Sequence, residues 1–205
     1  MNGMMPVTRA LLIANVTLFL LQQFGGDEWL IYQFALWPIP HDTIFGYVGP
    51  QFHLWQIITY GFLHSGFSHL FFNMFALWMF GSQIETLLNS RRFAIYYFVC
   101  VAGAALTQLA VQEMSVGPMV PTVGASGGVF GLLLAFGLAW PRRKLMLLFP
   151  PIPMPAWLFV TLYGALELYL GVTGTQQGVA HFAHLGGMAA GFVLIIYWRR
   201  QSVAR

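Results

Sequence analysis

Long apolar runs, broken by short polar and proline-rich clusters, set the pattern of the chain. Six can be delimited, roughly Ala10 to Phe24, Ser65 to Leu88, Phe93 to Gln112, Ser126 to Trp140, Pro155 to Val172 and Ala180 to Trp198. A bilayer core of about 30 Å takes about 20 helical residues, so the pattern predicts an all-α membrane protein, a polytopic bundle of six transmembrane helices forming one domain over residues 1–205. The first run follows Arg9 and is short. Its positive start and apolar middle also fit a signal peptide, but Gln22-Gln23-Phe24-Gly25-Gly26 offers no small-x-small cleavage site, so a retained first helix is expected. The fourth run is too short to cross alone: either it starts inside the membrane plane or the bilayer thins around it. Between the first and second, residues 25 to about 63 carry Pro38, Pro40 and Pro50 with Trp29, Trp37, Phe45, Tyr47, Phe52 and Trp55, and are predicted to lie at the headgroup level. Pro141, and then Pro150, Pro151, Pro153 and Pro155, punctuate the fourth and fifth runs.

Composition agrees with this solvent: 58% of the 205 residues are hydrophobic and 7% charged, against about 25% charged in an average soluble domain. The single Cys100 excludes an intramolecular disulfide framework, and no Cys/His spacing of a structural zinc site is present. A net charge of +3 is too small and scattered for nucleic-acid binding. Its placement is informative instead. The basic residues Arg9, Arg91, Arg92, Arg142, Arg143, Lys144, Arg199, Arg200 and Arg205 fall at the N-terminus, in the 2/3 and 4/5 loops and at the C-terminus, and the other three loops contain none. The positive-inside tendency then predicts both termini on the cytoplasmic side, N-in and C-in, of a plasma (inner) membrane. No sequence repeat relates the two halves, which counts against a transporter.

This topology puts all six histidines, His41, His53, His64, His69, His181 and His184, in the external loop or the outer ends of the second and sixth helices. Ser126 opens the fourth helix directly after an external loop. His69 and His184 lie about four residues into their helices, about 6 Å below the outer ends, so a serine and two histidines share one depth. Polar residues within a bilayer are costly and tend to mark function. Asn73 is one turn below His69 on the same face. Gly127, Gly128 and Gly131 follow Ser126, while Gly187 and Gly191 follow His184, and small residues on both helices let their backbones approach. Such glycines are also ordinary packing residues, so the serine alone says little.

Serine becomes a competent nucleophile when a base takes its proton, and neutral histidine does this near physiological pH. His184 is the candidate base for Ser126. The oxyanion formed on attack at a carbonyl needs fixed donors. The Ser126 backbone N–H, the Asn73 amide and a ring N–H of His69 are available at this depth. No third member is apparent: Glu85 is about 24 Å further inward than His69 and is expected to pair with Arg91 or Arg92, Glu113 and Asp42 are at loop level, and Glu167 has no visible partner. A dyad is the economical reading, with Phe130, one turn below Ser126, packing its ring against the imidazole in place of an orienting carboxylate.

The segments His64-Ser65-Gly66-Phe67-Ser68-His69-Leu70-Phe71-Phe72-Asn73-Met74, Gly124-Ala125-Ser126-Gly127-Gly128-Val129-Phe130-Gly131 and Ala183-His184-Leu185-Gly186-Gly187 resemble the three signature blocks of the rhomboid intramembrane serine proteases. The resemblance covers helices two to six. It implies the minimal six-helix rhomboid fold, Ser126 as nucleophile, His184 as base, His69 and Asn73 lining the oxyanion hole, a water-filled cavity opening outward, and single-pass transmembrane proteins as substrates. Two departures stand out. Some rhomboids have Tyr where this chain has Phe130, and the Trp-Arg pair common in the family's first external loop has no match, since Trp29, Trp37 and Trp55 are followed by Leu, Pro and Gln.

The remaining polar residues receive plainer readings. His64, off the His69 face, is expected to anchor a loop by hydrogen bonding. His181, one turn from His184, lacks a carboxylate or thiol at matching depth, so neither a metal nor any other cofactor is expected. The methionines read as packing. The expected partners are the lipid bilayer and transmembrane protein substrates that enter laterally past helix five and its outer loop, Gly171 to Gly178. Two other readings remain: a non-catalytic relative that binds membrane helices, and a small-molecule or metal transporter, which would need polar residues continuing to the inner face.

Overall fold

The computed structural model describes residues 5–39, 50–114, 120–147, 151–174 and 179–203. Pro40, His41, Asp42, Phe45 and Tyr47 of the expected interfacial connection lie outside these residues, as do 115–119, Pro150 and 175–178 of the expected gating loop. Helices α1 (Pro6–Leu21), α4 (Phe67–Leu88), α5 (Ser90–Glu113), α6 (Ser126–Ala139), α7 (Ala156–Thr173) and α8 (His181–Val203) occupy the six apolar runs. Short helices α2 (Asp27–Phe34) and α3 (Gln56–Thr59) lie between α1 and α4. Among the described residues four helical stretches are long and apolar enough to cross a membrane: Pro6–Phe34, Ser90–Glu113, Ala156–Thr173 and His181–Gln201. The 22-residue α4 carries His69, Asn73, Gln83 and Glu85, and α6 has only 14 residues.

Three local features differ from expectation. The first helix does not end at Phe24: a wide turn over Gln22–Gly26 bends it, with Gly25 at φ 99°, and the chain continues as α2. Only glycine takes that backbone conformation without strain. Glu85 does not reach toward Arg91 or Arg92. Its carboxylate accepts from the backbone N–H groups of Val7 (3.0 Å) and Thr8 (2.8 Å) and from the hydroxyls of Thr8 (2.8 Å) and Ser90 (2.7 Å). The first turn of a helix has N–H groups without intrahelical partners and favours negative charge. Glu85 therefore caps α1 from the far end of α4. Finally, the proline-rich connection after α6 holds a two-stranded antiparallel hairpin, β1 (Lys144–Met146) against β2 (Pro153–Pro155).

Helix α6 is the hub. It contacts α4, α5, α7 and α8, and Gly127 to Leu133 are buried without a break. A 14-residue helix that four neighbours surround along its length can be shorter than a bilayer core, because its sides meet protein. Its glycines make the close packing possible: a Cβ on Gly128 would strike the Tyr97 ring, one on Gly131 would strike Cys100, and one on Gly187 of α8 would overlap the Gly127 carbonyl. Helices α5 and α8 approach similarly, Gly103 lying against Ala190 and Gly186 against Thr107. Two buried tyrosines bind carbonyls across the bundle, Tyr60 Oη to Val101 O at 2.8 Å and Tyr96 Oη to Gly131 O at 2.7 Å. A buried polar group must find such a partner.

Candidate active site

The segment entering α6 is held from the first connection. Leu36 and Thr122 exchange backbone hydrogen bonds (3.0 and 2.9 Å), and Gly124 N–H donates to Tyr60 O at 3.0 Å. Gly124 has φ 128°, and a Cβ there would lie 2.8 Å from His69 Nε2 and 3.7 Å from Ser126 Oγ. The missing side chain thus leaves a small space that His69 and Ser126 both face.

Ser126 is the first residue of α6, and its Oγ lies 2.8 Å from Nε2 of His184 in the first turn of α8. The bare backbones at Gly127 and Gly187 allow this approach. Phe130 stacks on the His184 ring at 4.2 Å between centroids with planes 5° apart, and Tyr163 of α7 stacks behind Phe130 at 5.4 Å. The expected ring packing at Phe130 therefore appears as a parallel stack. Just before α4, Ser65 places its Oγ 3.0 Å from Nδ1 of His69 on that helix, and the Ser65 N–H points at the same nitrogen. With Nδ1 accepting, the neutral His69 ring carries its proton on Nε2, the atom that faces Gly124. The Asn73 amide donates to His69 O at 2.9 Å and keeps a second N–H. Ser126, His184 and His69 come together here, and Asn73 lies one turn further along α4, tied to the His69 carbonyl.

One residue was missed. Glu167 of α7 is buried, and its Oε2 lies 2.8 Å from His184 Nδ1 and 2.7 Å from His181 Nδ1. This overturns the expectation that no carboxylate lies beside the histidines and that Glu167 lacks a partner. Its presence in a mostly lipid-facing apolar helix was a usable signal, since an ionisable residue within a membrane segment is a functional candidate by default. The ligand atoms of Glu167, His181 and His184 all lie within 4.8 Å of one another, a set able to take a metal ion.

His64 anchors its loop through the main chain and not the ring: its N–H donates to Gln22 Oε1 (3.1 Å), and its carbonyl accepts from Gln22 Nε2 (3.3 Å). The ring nitrogens are buried and make no hydrogen bond of normal geometry among the described residues, and the ring meets His69 edge-on at 5.1 Å. Burial, reinforced by His69, pushes the His64 imidazole down to about 3. It is neutral at physiological pH, and so low a value makes it a much weaker base than an ordinary imidazole.

Comparison with known proteins follows the same blocks. The Rhomboid domain family model matches residues 51–201. Rhomboid protein 1, mitochondrial, of Saccharomyces cerevisiae is 33% identical over 138 residues, covering 66% of this chain and 39% of the yeast protein. Rhomboid protease GlpG of Photorhabdus laumondii is 25% identical over 202 residues (96% and 63%), and Rhomboid protease GluP of Bacillus subtilis 23% over 192 (93% and 34%). This chain spans between about a third and just under two thirds of the length of these relatives. With its apolar helices and a match over most of its length, the chain is a multi-pass integral membrane protein belonging to the rhomboid family.

Proposed function

We propose that this protein is an intramembrane serine endopeptidase that hydrolyses peptide bonds of single-pass transmembrane proteins near the external face, using Ser126 and His184. The observation that carries the reading is the 2.8 Å contact between Ser126 Oγ and His184 Nε2 at the buried head of α6. A serine bound to an imidazole whose opposite nitrogen is also engaged is the arrangement nucleophilic acyl transfer requires. Relatives named as proteases support the same class.

His184 Nε2 takes the hydroxyl proton as Ser126 Oγ attacks the scissile carbonyl carbon. In this reading the oxyanion is received by His69 Nε2–H, which borders the space at Gly124, with the second N–H of Asn73 and the Ser126 backbone N–H as further donors. Collapse of the tetrahedral adduct breaks the C–N bond, and the proton held on His184 passes to the leaving amine. Water then attacks the acyl-serine as His184 takes one of its protons, and when the C–Oγ bond breaks His184 returns that proton to Ser126 Oγ and the new carboxyl terminus leaves. The Phe130 stack keeps the ring plane fixed through both steps.

A substrate helix hides its carbonyls in internal hydrogen bonds, so cleavage favours segments with helix-weakening residues near the outer boundary. The crowded glycines around Ser126 favour a small residue at the cleaved position. Helix α7 is the entry gate in this reading: only Ala156, Val160 and Glu167 are buried along it. In this reading the six apolar helices form the membrane bundle, the short α6 enclosed at its centre, and both termini lie on the basic, cytoplasmic side.

The test is cleavage of a panel of single-span substrates by the purified protein in liposomes. Ser126→Ala and His184→Ala should each abolish cleavage while inserting and folding normally. Full activity of either variant ends the proposal. Client binding without turnover by the unmodified protein would favour the non-catalytic reading.

A further inference from the structure

We infer that Glu167 is a positioning residue that holds His184 in the tautomer and orientation serving Ser126, and that its place on α7 makes the base competent only when that helix is seated against α8. The inference rests on the protease reading and extends it from a pair to a relay of three residues.

A carboxylate at 6% exposure, on a helix whose other faces are largely open, is costly unless fully engaged. Its engagement is specific. One oxygen, Oε2, receives both rings through Nδ1, His181 at 2.7 Å and His184 at 2.8 Å. A carboxylate oxygen only accepts, so each Nδ1 carries a hydrogen. In the neutral His184 ring the lone pair is then on Nε2, directed at the Ser126 hydroxyl 2.8 Å away. When the proton transfers, the imidazolium formed lies against a negative charge. Among the described residues His181 Nε2 has no hydrogen-bond partner, and the shared Glu167 is the one polar contact of this buried ring. His181 is a second anchor that fixes the carboxylate in place.

Helix α7 supplies more than the carboxylate. Tyr163, four residues before Glu167, backs the Phe130 ring that lies on His184. Both restraints on the imidazole, its hydrogen bond and the outer plate of its stack, therefore arrive with α7. A hydrogen bond weakens steeply beyond its normal range. Displacement of α7 by about 1 Å at Glu167 would remove the restraint, leaving the serine without an oriented base while the helix is open.

The test separates base orientation from substrate entry. A small fluorophosphonate reaches Ser126 without a substrate helix docking, so its labelling rate reads the nucleophile alone. Glu167→Gln keeps the size but not the charge, and can turn an N–H toward Nδ1, which forces the proton onto Nε2. Loss of the orienting carboxylate in a Ser-His-Asp triad lowers kcat about 10⁴-fold. With the Phe130 stack intact, labelling and kcat of Glu167→Gln should fall together by about 10² to 10⁴, with KM within about twofold. Glu167→Asp, whose arm is shorter by about 1.5 Å, should rank between the two.

Wild-type protein that is never labelled at Ser126 would refute the protease reading itself. Wild-type labelling with Glu167→Gln within threefold of it would overturn the positioning role alone. A raised KM with unchanged labelling would overturn it in favour of a mere latch between α7 and α8. Loss of wild-type labelling on chelation, restored by zinc, would overturn it in favour of a metal held by Glu167, His181 and His184. If Glu167→Gln does not fold, Glu167→Asp decides: labelling slowed tenfold or more at unchanged KM supports the inference, and a wild-type rate overturns it.

Discussion

Replacing Gly187 by alanine places a methyl group where α8 meets α6 most closely, three residues after His184 and one after Ser126 on the facing helix. The new Cβ would overlap the Gly127 carbonyl oxygen and lie 2.8 Å from its carbon and 3.1 Å from its Cα. These are backbone atoms that no rotamer change can move. Restoring ordinary contact with the carbonyl carbon alone requires the helices to part by at least about 0.5 Å, stretching the 2.8 Å Ser126–His184 contact beyond good hydrogen-bond range. Overpacking of this kind costs about 1–3 kcal/mol, only partly offset by the gain of about 1 kcal/mol from removing a glycine within a helix. At about 2–4 °C per kcal/mol for a chain of this length, the thermal midpoint in micelles should fall by several degrees. The labelling rate of Ser126 should fall about 10- to 100-fold, since a misplacement of 1 Å can cost 10². Gly164→Ala is the matched control: its Cβ would meet only Met188, at 3.6 Å, so stability and labelling should hold or rise. Gly187→Ala with wild-type midpoint and labelling, or Gly164→Ala equally damaging, would refute the close-approach argument.

Three further outcomes follow from the same contacts. Glu85→Gln removes the charge that receives two α1 N–H groups and two hydroxyls; it should lower stability by about 1–3 kcal/mol with kcat unchanged in the folded protein, and a wild-type thermal midpoint would count against the cap. His64 has its folded-state value depressed to about 3 from an ordinary 6.5 by burial, so between these values the unfolded chain binds the proton and the folded chain does not, and the contribution to stability is lost as pH falls from about 6.5 toward 3. Thermal midpoints should therefore drop more steeply over that window in wild type than in His64→Leu, whereas parallel curves would contradict it. Phe130→Leu removes the plate from His184; an aromatic pair is worth about 0.5–1.5 kcal/mol, so kcat should fall about 3- to 10-fold, and an unchanged value would leave the stack without a catalytic part.

The parts of the fold and site that could be read along the chain are those encoded by local pattern. Apolar runs located the six long helices, and α6 began at Ser126 as expected because Gly124 and the prolines before it mark where the helix cannot extend. Counting basic residues predicts Ser126, His69 and His184 at one depth; in the fold Ser126 contacts His184 at 2.8 Å and faces, with His69, the space at Gly124. What escaped was set by pairing across large separations. Glu85 was matched to nearby arginines, but its partners Val7 and Thr8 are 78 and 77 residues away. Glu167 looked isolated because His181 and His184 lie 14 and 17 residues further on, on the next helix. The first apolar run stops at Phe24, before Gly25-Gly26, and gave no sign that the chain goes on as a second helix. Here a single left-handed residue bends the helix, and Asp27 opens the next one, bound to Gln22 at 2.9 Å.

The central claim, that His184 activates Ser126, is tested most directly by mapping covalent fluorophosphonate adducts by mass spectrometry on purified wild type and on folded His184→Ala. The account predicts a single adduct on Ser126 in wild type and none in the variant under the same conditions. An adduct on another residue, or equal labelling of Ser126 without His184, would contradict it.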